Sequence, residues 1–221
     1  MKNSIILLCL VCLTNPISAQ IPFLYIEYEA GIDMAKIAPG LGAERIKVFN
    51  NLVNVYSYAY SRNCSEYKKI AVRKKDPTIS GGKIISKNDV IFYKDFGGKL
   101  IYKKSVENPE WVSKETMSFD RQWKIDYLQT DTVAGHLCCK AITKENQYTI
   151  IAWFAPGLSI KDGPMALYGL PGLILRVELG AVTISATHMS ITEETREIKM
   201  PEAEKYLSSE EFDKITGKNE K

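Results

Sequence analysis

The chain has 221 residues, 45% of them hydrophobic and 25% charged, and a formal net charge of +3. That length suits one domain with tails, and the composition is that of a folded rather than a disordered protein. A balance this close to neutral excludes the basic footprint of a nucleic-acid binder.

Residues 1–19 read as a secretory signal. Lys2 supplies a minimal positive start, Ile5 to Leu13 is a short apolar run, and Pro16 precedes Ile17-Ser18-Ala19. The run is too short for a transmembrane helix, which needs about 20 residues, and no comparable run follows it. Cys9 follows Leu8 and Cys12 follows Val11, so neither has the small preceding residue that a lipid anchor requires. The mature chain is expected to begin near Gln20, without a transmembrane segment, and to be exported: periplasmic, outer-membrane-associated or secreted. Loss of Lys2 lowers the formal charge from +3 to +2.

From Pro22 onward short strands alternate with tight turns. Pro22 to Glu29 alternates in the manner of a strand with two distinct faces. Ala43 to Phe49 and Leu52 to Ser61 flank Asn50-Asn51, a pair suited to a hairpin turn. In the second of these, Val53, Val55, Ser57 and Ala59 oppose Asn54, Tyr56, Tyr58 and Tyr60, which makes a tyrosine ladder on one face. Asp89 to Tyr93 and Lys99 to Lys103 flank Phe96-Gly97-Gly98, a further hairpin. Trp123 to Leu128, His136 to Thr143 and Tyr148 to Phe154 continue the meander, the last two joined by Lys144-Glu145-Asn146-Gln147. Leu173 to Leu179 and Val182 to Ile191 pair about Gly180. At the end, Ser208-Ser209-Glu210-Glu211 carries an N-cap with glutamate three residues on, Gly217 closes the helix, and Pro201 starts a shorter one.

This spacing predicts a mainly β fold: a curved antiparallel sheet, a partly closed β-barrel or a sandwich, with a short C-terminal helix. The expected organisation is a signal over 1–19, an antiparallel β domain over 20–200 and a helical tail over 201–221.

Residues with chemistry are sparse. Cleavage leaves Cys64, Cys138 and Cys139, an odd count that permits one disulfide in an oxidising compartment. Adjacent strand residues point to opposite faces, so Cys138 and Cys139 cannot bridge each other and only one can meet Cys64. Cys64 with Cys138 is the candidate bridge, and three buried reduced thiols are the alternative. His136 and Cys138 share a strand face and offer two ligands for a soft metal, which is short of a site. His188 lies alone on its strand. Gly157-Leu158-Ser159-Ile160 lacks the closing glycine of a serine nucleophile elbow, and P-loop, dinucleotide and metalloprotease motifs are absent. No cofactor and no metal is expected. An enzyme reading, of hydrolase type, requires the fold to gather Asp162, His136, Cys138 or Tyr168.

The most distinctive stretch is Trp153 to Leu179, where a loop rich in Gly and Pro enters an alternating strand with Leu173, Leu175, Val177 and Leu179 on one face. Pro171 presets φ for a type II turn with Gly172 at its positive-φ position. Pro156-Gly157 and Gly163-Pro164 mark two earlier turns. Tyr168-Gly169-Leu170-Pro171-Gly172-Leu173-Ile174-Leu175 resembles the signature of the GLPGLI family, envelope-directed proteins of Bacteroidetes-type bacteria. Gly135 to Ala141, Ala152-Trp153-Phe154 and Gly163-Pro164 resemble further elements of that family in the same order. Met165-Ala166-Leu167 and Cys139 depart from its pattern. The family has no established activity, so the resemblance implies export and an accessory role beside outer-membrane receptors. The resulting expectation is a non-enzymatic binding module of the envelope, for an apolar ligand or an outer-membrane partner. Trp153, Phe154, Tyr168, Gly169, Leu170, Pro171 and Gly172 are its candidate contact residues, with the glycine-proline loop as rim.

Overall fold

Eleven strands form one antiparallel sheet in the computed structural model, which describes residues 23–82, 89–145 and 147–217. The signal at 1–19, and the expectations touching Pro22 and Asn146, lie outside them. Two meanders build the sheet. The first comprises β1 (Phe23–Ile32), β2 (Leu52–Ser61), β3 (Cys64–Lys74), β4 (Val90–Asp95), β5 (Leu100–Ser105) and β6 (Val112–Thr116). The second comprises β7 (Lys124–Val133), β8 (His136–Glu145), β9 (Tyr148–Ala155), β10 (Leu173–Leu179) and β11 (Val182–Thr192). They join where β1 pairs with β11, so the order across the sheet is β6-β5-β4-β3-β2-β1-β11-β10-β9-β8-β7.

Three short helices accompany the sheet among the described residues: α1 (Met34–Ile37), α2 (Ala43–Asn50) and α3 (Ser209–Ile215). α2 corrects the expected strand over Ala43 to Phe49. Ala, Glu, Arg and Lys favour helix, and the segment has no sheet neighbour to override that preference. Asn50 and Asn51 consequently tie loops instead of turning a hairpin. The Asn50 Oδ1 accepts from the Met34 amide at 2.8 Å, and the Asn51 side chain exchanges two hydrogen bonds with the backbone of Asp76. No helix starts at Pro201, and the chain there runs irregularly to Leu207, which pairs with β6. α3 forms as its sequence requires, with a complete Ser208–Glu211 capping box and Gly217 at φ +73°.

The sheet is strongly curled. β4 and β9 stand six places apart, which in a flat sheet at about 4.8 Å per strand would separate them by about 29 Å. Yet Phe92 of β4 and Ile150 of β9 line the same small cavity. A bulge between Ile174 and Arg176 turns Ile174 inward with Val177, so the simple alternation expected along β10 breaks at Leu175. The trough is filled by aromatic and aliphatic side chains, among them Tyr28, Tyr58, Tyr67, Phe154 and Leu170.

Candidate functional site

The loop between β9 and β10 folds back across the trough and is fastened by a buried ionic cluster. Lys94 occupies the inward position that follows Val90 and Phe92 along β4, and both it and Asp162 of the loop are fully buried. The Lys94 ammonium donates to Asp162 Oδ1, to the Gly163 carbonyl at 2.6 Å and to the Leu167 carbonyl at 3.4 Å. Tyr58 donates to Asp162 Oδ2 at 2.9 Å, and the Gly163 amide donates to Oδ1 at 2.7 Å. Each of the three ammonium protons therefore has an acceptor. Burial pushes the Lys94 ammonium below the ordinary lysine value, opposed by Asp162. Burial, then the Asp162 charge, raises the Tyr58 hydroxyl well above its usual range. Beside it, Tyr28 donates to the Ile174 carbonyl at 2.7 Å, tying β1 to β10.

The glycine-proline motif serves this docking. A Cβ on Gly172 would stand 2.3 Å from the Ala155 carbonyl oxygen, and one on Gly163 would stand 2.6 Å from the Ile174 Cβ. The positive φ falls at Gly169 (+95°), not at Gly172, so the expected type II turn is replaced by a bend. Met165 also adopts positive φ (+53°), in the tight turn closed by the Leu167 amide on the Pro164 carbonyl.

Between the loop and the sheet lies a cavity of about 240 Å³. Phe92, Ile150, Val177, Leu179 and the loop residues Met165 to Leu167 form its apolar walls, and two ion pairs border it. Lys103 contacts both carboxylate oxygens of Asp213 on α3 at 3.0 and 3.1 Å. Arg121 donates to Glu145 at 3.1 Å and to the Ala166 carbonyl at 3.2 Å.

The residues expected to form a contact surface are distributed differently. Phe154 and Leu170 are core, and Tyr168 braces the loop, its hydroxyl accepting from the Ser118 amide and its carbonyl from the Trp123 indole. Trp153 lies on the outer face, donating to Glu178 at 3.0 Å with the Arg176 guanidinium 4.7 Å from its ring centre. Gly169 and Pro171 are exposed and Gly172 is buried against backbone. None of these seven lines the cavity; its loop wall is the neighbouring Met165 to Leu167 segment, which the sequence reading did not include.

Cys64, Cys138 and Cys139, the cysteines of the described residues, are free thiols, so the Cys64–Cys138 bridge does not form. Cys64 begins β3 opposite Asp95 of β4, whereas Cys138 lies on β8 opposite Asp131 of β7. The Cys138 thiol donates to the His136 carbonyl at 3.5 Å, and burial pushes it up to about 11. Asp162 is held by Tyr58 and Lys94, away from any histidine contact. Among the described residues no three His, Cys, Asp or Glu side chains gather in a metal-binding group. Lys94, the centre of the cluster, escapes sequence reading because a lysine on a short strand defaults to solvent; its inward register with Val90 and Phe92 is the available signal.

A single curled antiparallel sheet with one loop packed into its trough is the class of fold defined here. A model of the family described as "Protein of unknown function (Porph_ging)" matches residues 94–176, the span from Lys94 through the glycine-proline loop into β10. No curated protein matches the chain. Two solved structures of PNGF-II are similar to it: one at 18% identity with a TM-score of 0.54, covering 80% of this chain and 29% of that one. The other is at 14% identity with a TM-score of 0.58, covering 89% and 33%. The chain thus spans about a third of the length of those proteins, and the likeness is one of fold.

Proposed function

We propose that the protein is an exported binding module of the bacterial envelope that holds a small apolar ligand in the trough of its sheet. The observation that carries this reading is the cavity of about 240 Å³ with apolar walls and a charged border. Binding sites of small molecules have that character, apolar walls with a few polar groups that orient the ligand. At roughly 30 Å³ per water-sized group, the space takes about eight such groups, a short acyl chain or a substituted ring. The buried Lys94–Asp162–Tyr58 cluster fits the same purpose by holding the loop that forms one wall. In PNGF-II the similar part is about a third of a longer chain, which supports reading the fold as a module. The resemblance of residues 168–175 to the GLPGLI signature supports the reading of export.

Native mass spectrometry of the purified full chain, with titration of an apolar fluorophore such as N-phenylnaphthylamine, tests the reading. A retained small molecule or saturable binding is expected, and filling the cavity by Val177→Trp or Leu179→Trp should abolish it. Absence of any occupant together with no fluorophore binding overturns the proposal, as does undiminished binding in both folded variants.

A further inference from the structure

The border of the cavity also specifies the ligand's polar end. We infer, resting on the binding reading above, that the cavity accepts an amphiphile with an anionic head, a carboxylate, which Arg121 receives in place of Glu145. The two border cations differ in how they are neutralised. Lys103 has two acidic neighbours, Asp213 at 3.0 Å and Glu115 at 3.9 Å, and its side chain is 13% exposed. Among the described residues Arg121 has one, Glu145, whose side chain is 54% exposed. An ion pair with so exposed a partner is weakly held, because water and salt screen it. The guanidinium itself is fixed: the Ala166 carbonyl accepts from Nη1, and the group lies 5.8 Å from the Tyr168 ring centre and 6.0 Å from that of Trp123. A planar fork held on aromatic faces, with two of its five N–H groups engaged among the described residues, is preorganised for a carboxylate. Glu145, at the end of β8, occupies the place of that carboxylate and can swing into solvent when a ligand arrives. The ligand's apolar body then lies against Phe92, Ile150 and Val177.

Isothermal titration with octanoate, 1-octanol and octylamine tests this on the full chain, since the three share an apolar body and differ in the head. Octanoate should bind about tenfold or more tighter than octanol, the ratio set by one charge-assisted hydrogen bond. Arg121→Gln should erase that ratio, octanoate and octanol then binding alike in the same variant. Glu145→Gln should tighten octanoate binding by removing the competing carboxylate, an effect that a purely structural role for the pair does not produce. Equal binding of octanoate and octanol, or preference for octylamine, overturns the anionic head and leaves the cavity reading standing. Failure of all three to bind removes both.

Discussion

Lys94 and Asp162 show how much one strand position decides. Each is fully buried, and each is supported by hydrogen bonds as well as by the other's charge. Replacing Lys94 by Met leaves the Asp162 carboxylate uncompensated in the core, and a loss of about 3–5 kcal/mol is expected in chemical denaturation. The double variant Lys94→Met with Asp162→Leu should recover part of that loss, because two apolar side chains remove the stranded charge. A double variant no more stable than the single one would show that the ion pair is not what fastens the loop. Asp162 enters the sequence reading only as one residue of an enzyme-type site, and Lys94 falls just beyond the strand expected over Asp89 to Tyr93; their meeting, 68 positions apart, gives both a different role. The tyrosine ladder was legible as a face, whereas the use of the Tyr58 hydroxyl depends on that same long-range partner.

At the scale of elements, hairpins signalled by Phe96-Gly97-Gly98 and Gly180, and the capped helix α3, follow local rules and form as read. The failures are places where local rules leave a choice. α2 carries half-buried Ile46 and Val48, whose spacing of two suits a strand, while its Ala, Glu, Arg and Lys favour helix, and the lack of a pairing partner settles it. The β10 bulge cannot be seen in an alternating sequence because the sequence alternates through it. The glycine-proline loop is legible as a series of turns, and what Gly172 serves there is proximity, because it abuts the Ala155 backbone. Gly172→Ala should therefore cost about 1–3 kcal/mol through a backbone displacement, as overpacking does. Gly157→Ala, with nothing within 4 Å of the added carbon, should fall within about 0.5 kcal/mol. Thermal melts of the pair check this, and equal effects would remove the close-approach explanation.

For the whole molecule, buried phenols set the response to alkali. Burial raises Tyr28, Tyr58 and Tyr67 well above the ordinary tyrosine value of 10.0, and burial with Glu66 takes Tyr93 to about 12. A group whose folded pKa is raised binds its proton more tightly in the native state, so its stabilisation is complete below the unfolded value and lost above it. Stability should fall from about pH 10 upward; Cys138, raised from 9.0 to about 11, adds to the early part of that slope. Lys94, lowered by burial, works in the opposite direction as one group against several. Phenolate absorbance and circular dichroism followed together should show several tyrosines ionising only as the chain unfolds; free titration of all of them in the native state would contradict the burial of Tyr28, Tyr58 and Tyr67.

The seam between the two meanders has its own consequence. Residues 23–32 form the middle of the sheet, yet their second neighbour is residues 182–192, so every ribosome-bound intermediate shorter than this carries β1 as a bare inner edge. Each half can zip from adjacent hairpins, but closure of the central seam waits until residues 182–192 have emerged, a loop-closure step that slows folding. Until then the nascent chain exposes an unpaired strand at the centre of its future sheet, the kind of edge that invites pairing with another chain.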